Sequence, residues 1–415
     1  KIVNPDRSKW SQLVKRPTFE KQDLSQKVQD ILRDVQNRGD KALKELTSRF
    51  QDVKLEDLKV SEAEMVAAEK LVPQELKDAI AIAAQNIEKF HASQAIEEPK
   101  VITMEGVECW RKSIPISSVG LYIPGGSAPL FSTLLMLAIP AKLAGCKDVV
   151  VCTPCDEKGE INPTILYVVR KLGLTNIFKI GGAQAIAAMG YGTESINKVS
   201  KIFGPGNQFV TEAKEQIQRS GIAIDMPAGP SEVLIIADQS SNPSFVAADL
   251  LSQAEHGPDS QVLLVTTNEI IVNEVQKEIA TQLKDLPRKE VASEALKNSY
   301  AIVLPSLEEC IHFSNYYAPE HLIIATDNAL KFTDSIINAG SVFMGKYTCE
   351  SAGDYASGTN HTLPTNGYAD RYSGVSLDSY LKKITFQTIN ETGIQNLGKT
   401  IEVMAEAEGL FAHKN

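Results

Sequence analysis

Val119-Gly120-Leu121-Tyr122-Ile123-Pro124-Gly125-Gly126 is a short apolar run closed by a proline and two glycines. It reads as a buried strand ending in a tight turn. A longer apolar run follows, Leu130 to Leu143, of helical length. The same unit then recurs. Strand-like runs lie at Asp148 to Cys152, Ile177 to Ile180 and Lys198 to Phe203, with helical runs at Pro163 to Leu172, Ala183 to Met189 and Gln208 to Arg219. Apolar strands alternating with helices mean a parallel sheet covered on both faces.

A second series begins near residue 230. Its strands are expected at Val233 to Ala237, Gln261 to Thr266, Ala301 to Leu304, Leu322 to Ala325 and Ser341 to Met344. Helices at Ser244 to His256, Asn268 to Leu283, Leu307 to Tyr316 and Asn328 to Ala339 separate them. The fold class is therefore α/β, with two units of similar design. A length of 415 residues agrees, being too long for one compact core.

Outside these units the pattern changes. Residues 1–20 form an arm with no clear period. Helices are expected from Asp23 to Gly39, Asp40 to Phe50, Glu62 to Leu71 and Pro73 to His91. Val101 to Met104 and Val107 to Trp110 flank Glu105-Gly106 and read as a hairpin. Residues 345–375 are rich in Gly, Ser, Thr, Tyr and Asn; a loop of that length in a compact domain is usually functional. Leu381 to Phe386 is a possible strand. A terminal helix from Thr392 to about Gly409 puts Ile394, Leu397, Ile401 and Met404 on one face.

The net charge of −10 argues against a nucleic-acid surface. The longest apolar run, Leu130 to Ala144, is too short and too interrupted to span a bilayer, and the first residues are too polar for a signal peptide. Six scattered cysteines imply no disulfide framework and fit a reducing cytoplasm. Cys152-x-x-Cys155 lacks a second pair to complete a zinc site and reads as strand-end packing.

The candidate chemistry lies in turns. Three glycine turns follow strands of the first unit: Gly125-Gly126, Gly181-Gly182-Ala183-Gln184, and Gly204-Pro205-Gly206-Asn207. Ligands bind doubly wound sheets at such strand ends, and helix-start amides suit a pyrophosphate. None of the three matches a G-x-G-x-x-G fingerprint. Gln253 and His256 are spaced i and i+3 in the last turn of a helix stopped by Gly257-Pro258, so both leave one face and could hold a divalent metal. Glu320 and His321 adjoin Pro319 at a strand entry and are suitable proton-transfer groups, or a solvated charged pair. Asp354, between glycines, could complete a metal site or simply form a turn; His361 lies in the same loop. Glu408 and His413 sit near the end beside Leu410 and Phe411, which need burial. His91 and His312 read as structural.

Together, Ser-Gln-Ala-Glu-His-Gly-Pro-Asp (252–259), Tyr-Ala-Pro-Glu-His-Leu (317–322), Gly-Asp-Tyr-Ala-Ser-Gly-Thr-Asn-His-Thr-Leu-Pro-Thr (353–365), Ile-Phe-Gly-Pro-Gly-Asn (202–207) and Glu-Gly-Leu-Phe-Ala-His-Lys-Asn (408–415) resemble the histidinol dehydrogenase family. The resemblance implies two incomplete Rossmann-like domains with small N- and C-terminal segments. It groups residues 21–118 with 231–375, carrying most metal and acid/base residues, around an NAD-binding-like domain at 119–230. A dimer-swapped segment would occupy 376–415. It implies oxidation of L-histidinol to L-histidine through L-histidinal in two NAD-dependent steps. One Zn2+ per subunit would be held by Gln253, His256, Asp354 and His413. Glu320 and His321 would be the acid/base pair. Ser231, His321, His361, Glu408 and the zinc ligands would contact substrate, and Tyr122, Gln184 and Asn207 would contact NAD. It further implies a homodimer with shared active sites. A zinc-dependent hydrolase using Glu320 as general base is the alternative.

Overall fold

The structure is a computed structural model describing residues 1–17, 21–125, 129–227 and 229–415. Gly126, part of the first glycine turn, lies outside the described residues. No helix among the described residues is long and apolar enough to cross a membrane.

Two parallel sheets form as the alternation requires. In the first, the strands run in the order Asn176–Lys179, Asp148–Thr153, Ser118–Tyr122, Lys201–Phe203, Ala223–Ile224. In the second the order is Ile2–Val3, Tyr300–Val303, Gln261–Thr266, Glu232–Ala237, His321–Ile324, Ser341–Met344. Every pairing within both sheets is parallel. Leaving aside the added edge strand Ile2–Val3, both sheets wind outward from a central first strand and reverse direction beside it. That reversal is the crevice-forming point of a doubly wound fold.

The chain leaves the first sheet at Ile224 and enters the second at Glu232. It exits at the C-terminal end of one strand and enters at the N-terminal end of another. The short link therefore sets the C-terminal edge of the first sheet against the N-terminal edge of the second.

The helices of residues 21–92 cover the first sheet, not the second as the sequence grouping has it. Val28, Leu32, Val35, Leu43 and Leu46 pack with Phe178, Ile186 and Ile202. Met65, Ala68, Ile80 and Ile87 pack with Leu134, Leu137 and Ile165 on the other side. Residues 58–60 also join this sheet's edge: Val60 N–H donates to Ile177 O (2.9 Å) and Lys179 N–H to Leu58 O (2.8 Å). The arm behaves oppositely. Ile2 and Val3 pair with Ile302 and Val303, and Trp10 packs edge-on to Phe313 at 5.1 Å in the second unit's core.

The helix break at Gly39 is present, as a residue at φ 53° inside the continuous span Lys21–Gln51. The hairpin also forms. Its strands Val101–Met104 and Val107–Pro115 are completed by Leu381–Ile389 as a separate antiparallel sheet. Residues 329–335 are a 3₁₀-helix rather than an α-helix; their buried residues, Ala329 and Phe332, are three apart, the 3₁₀ repeat. The helix over Gln253 ends at Ala254, before Gly257-Pro258, so His256 sits in the turn beyond it. Helix Lys289–Lys297 and strand Ala223–Ile224 have too few apolar positions to stand out in the sequence.

The C-terminal helix Glu391–Ala407 has few contacts with the rest of the chain. Ile394 and Met404, on its apolar face, are 49% and 60% exposed, and Phe411 beyond it is 59% exposed. The loop 345–375 instead runs between the two sheets. Asn360 Nδ2–H donates to Met136 O (2.6 Å), and Gly229 N–H donates to Thr365 Oγ1.

Gly204 tests the crevice. Its φ of 126° is closed to L side chains, and a Cβ there would strike the Tyr122 carbonyl oxygen. Gly204→Ala is expected to lose roughly 1–3 kcal/mol, seen as a lower urea midpoint. An unchanged midpoint would show that the turn tolerates a side chain.

Candidate active site

The two sheet edges face each other across a cleft of about 470 Å³. The first unit lines it with Tyr122, Pro124, Gly125, Pro205, Gly206 and Asn207, at the ends of its two central strands. The second unit lines it with Ser231, Gln253, His256, Glu320 and His321, and the long loop adds Asp354 and His361.

Glu320 and His321 converge, although neighbours in an extended strand point apart. Ala318 at φ 51° and Pro319 break the strand's entry, so regular pairing begins only at His321. Both side chains then meet the main chain of Glu232. Its N–H donates to Glu320 Oε2 (2.8 Å), and its carbonyl oxygen accepts from His321 Nδ1 (3.2 Å). Glu320 Oε2 and His321 Nδ1 are 3.7 Å apart. Both residues are buried. Burial raises the Glu320 pKa. Burial opposes the imidazolium of His321, but the carboxylates of Glu320 and Asp354 outweigh it and hold that ring well above the usual histidine range.

Behind them lies an ion pair. Arg16 donates to both carboxylate oxygens of Glu232, from Nε (2.9 Å) and Nη2 (3.0 Å). The guanidinium also stacks 3.6 Å from the centroid of the Tyr317 ring.

The metal question rests on unpartnered atoms. Gln253 Oε1, Glu350 Oε1, Asp354 Oδ1 and His321 Nε2 are buried without a hydrogen-bond partner. Those of Gln253 and Glu350 each cost about 1–3 kcal/mol; the other two face each other. Asp354 Oδ1 lies 3.5 Å from His321 Nε2. Ligand atoms of His256, Glu350 and Asp354 lie within 4.8 Å of one another. Carboxylate and amide oxygens with an imidazole suit zinc or a harder divalent ion. Gln253, His256 and Asp354 thus fit a metal. Glu350 was missed by the sequence reading. It is wholly buried before the glycine loop, and only its neighbours in space mark it.

His361 bridges the units: Thr133 Oγ1 lies 2.9 Å from its Nε2 and Asp354 O lies 3.0 Å from its Nδ1. Burial lowers its pKa. The Tyr122 hydroxyl accepts from Gly182 N–H (3.0 Å), and burial pushes its pKa up to about 12. Asn207 Oδ1 caps the helix Gln208–Ile217, accepting from Phe209 N–H (3.0 Å) and Val210 N–H (3.2 Å). Gln184 is buried behind its glycine turn and is absent from the cleft wall. Glu408 and His413 stand exposed on the C-terminal tail, also outside the cleft wall. His91 is buried against Ile87 O, and His312 lies on the surface beside Glu309, as expected of structural histidines.

Residues 14–415 match the histidinol dehydrogenase family. The chain is 57% identical over 414 residues to a histidinol dehydrogenase of Bacteroides fragilis, covering 100% of this chain and 97% of that one. It is 52% identical over 407 residues to that of Escherichia coli K12, covering 97% and 93%. The crystal structure of histidinol dehydrogenase from Elizabethkingia anophelis superposes with a TM-score of 0.97 at 60% identity, covering 99% of this chain and 95% of that one.

If the unpartnered atoms form a cation site, Asp354→Ala should weaken Zn2+ binding at least about tenfold in titration calorimetry. Equal affinity would remove Asp354 from the ligand set.

Proposed function

The chain belongs to the histidinol dehydrogenase family, and on that premise we propose that it oxidises L-histidinol to L-histidine in two NAD-dependent steps through L-histidinal, the last steps of histidine biosynthesis. The carrying observation is the Glu320–His321 pair facing the unpartnered oxygens of Gln253 and Asp354 across one cleft.

Zn2+ held by Gln253, His256, Asp354 and His413 of a second copy would supply orientation, fixing the substrate's imidazole and amine. Ser231 and His361 line the same space, and Glu408 would arrive with the partner's tail. A cation held at Asp354 would offset the carboxylate charge that favours the His321 imidazolium; the neutral ring then takes the alcohol proton at Nε2 while hydride passes to NAD, giving the aldehyde. Glu320 then removes a proton from water as it adds to the aldehyde. His321, having released its first proton to solvent, takes the remaining hydroxyl proton of the hydrate as a second hydride passes to a second NAD, giving the carboxylate and, in all, two NADH.

NAD would lie along the first unit's crevice. The Tyr122 hydroxyl and the Asn207 amide are its side-chain contacts there, with helix-start amides beside Gln208 for the pyrophosphate. Gln184, the third expected contact, could reach NAD only if its glycine turn moves, since its side chain is buried.

A homodimer with shared sites is supported by the tail. Apolar residues of the C-terminal helix lack cover in one chain, and Glu408 and His413 lie just beyond them. A cytoplasmic location belongs to the same reading, since the six cysteines are unpaired, as in a reducing compartment.

L-histidinol and NAD should give two NADH per substrate, abolished by a chelator; substrate hydrolysis without NAD would instead favour the hydrolase. Glu320→Gln should slow histidinal oxidation about 100-fold more than histidinol oxidation, and equal loss in both steps would end the division of labour. His413→Ala should lose zinc and activity. Mixing it with His321→Asn should recover activity, through the one intact site of each mixed dimer; no recovery would place both residues in one chain's site.

A further inference from the structure

We propose that Arg16 and Glu232 are a positioning pair for the acid/base groups, an inference that rests on the roles given above to Glu320 and His321. Glu232 is the hub. Its main chain holds both reacting side chains, through N–H to Glu320 and C=O to His321. Its side chain is fixed by three hydrogen bonds from two groups. Arg16 Nε and Nη2 take one carboxylate oxygen each, and Asn366 N–H donates to Oε1 (2.7 Å).

Arg16 is itself held. Nη1–H donates to Val14 O (3.0 Å) and Nη2–H to Tyr317 O (2.6 Å). The Tyr317 hydroxyl donates to Gln261 Oε1 (2.8 Å), and Gln261 pairs with Glu232 in the sheet. The side chains of Arg16 and Glu232 are only 9% and 1% exposed. Neither touches the space where substrate would lie. The network joins five separate pieces of chain: the arm, three strand entries of the second sheet, at Glu232, Gln261 and His321, and the loop at Asn366.

A buried ion pair is a poor way to gain stability, because apolar residues of similar volume usually do as well. It is a good way to fix direction, since a bidentate guanidinium–carboxylate pair admits one geometry. A strand entry that shifts by about 1 Å can lose about 100-fold in rate. Glu232 begins its strand at the cleft, where the ladder continues for only one more bond, Gln261 N–H to Ser231 O (3.1 Å).

The test compares the unmodified protein with Arg16→Lys, Arg16→Met, Glu232→Gln and the double variant Arg16→Met/Glu232→Gln. Thermal melting, KM for NAD, and kcat for histidinol and for histidinal are measured for each. The single neutralising variants are expected to melt lower and lose about 10–100-fold in kcat for both steps, with KM for NAD changed less than about twofold. The double variant leaves no lone buried charge, and Gln still accepts from Asn366. Its melting temperature should recover while kcat stays at least about tenfold down. Arg16→Lys should fall between the unmodified protein and Arg16→Met. Recovery of both melting and kcat in the double variant overturns the proposal, as does a rate loss that follows melting across the set. If single variants fail to fold, the double and Arg16→Lys variants decide it. Absence of histidinol-dependent NADH formation by the unmodified protein overturns the functional reading itself, and is distinct from every outcome among the variants.

Discussion

Residues 225–231 decide which surfaces of the molecule meet. A parallel strand has unlike ends, and both sheets here are parallel throughout. A short link from the last strand of one sheet to the central strand of the other must bring a C-terminal edge against an N-terminal edge. The first unit then offers its glycine turns and helix starts, the usual ligand-facing end of such folds. The second offers the opposite end, where strands begin. Strand beginnings carry N–H groups that the ladder has not yet used; that of Glu232 is given to Glu320, and its carbonyl oxygen also accepts from His321 Nδ1. The cleft is thus walled on one side by glycine turns and helix starts and on the other by fixed carboxylate, imidazole and amide groups.

The same arrangement concentrates unfavourable burial. Gln253 and Glu350 each bury an oxygen without a partner beside the cleft, at about 1–3 kcal/mol apiece. Asp354 and His321 face each other there as a buried ion pair at 3.5 Å, too long for a good hydrogen bond. Such a cluster is tolerable where a cation offsets it. The clamp of Arg16 on Glu232 supplies rigidity next to that strain.

Much of this was legible in the sequence because it is local. Strands and helices of both units follow from apolar period and length. Gly39, Gly204 and Gly257-Pro258 mark turns whose backbone demands are visible one residue at a time. The histidines sorted themselves by setting, His91 and His312 within helices, His256, His321 and His361 beside turns. What was not legible depends on contacts between distant segments. The face that Val28 and Leu32 would bury against could not be read from their spacing, and the helices were assigned to the wrong sheet. Glu350 looks like any acidic residue before a glycine loop. Arg16 lies 216 residues from Glu232 in an arm without period, and nothing local marks it as buried. Glu408 and His413 were singled out by resemblance, and one chain alone gives them no site.

The arm's docking also orders assembly in time. Ile2–Val3 pairs with a strand at 300–303, and Arg16 needs Tyr317 as well as Glu232. On a growing chain Glu232 follows Arg16 by 216 residues, and Tyr317 and the strand at 300–303 follow their partners by some 300, about 15–60 s at usual rates of synthesis. The first sheet and its helices, residues 21–224, hold most of their own cores earlier, lacking chiefly Val375 and Tyr380. During that interval Trp10 and the arm wait without their full set of partners. A nascent chain released early would carry a largely assembled first unit and an undocked arm, a difference readable by limited proteolysis at Arg16.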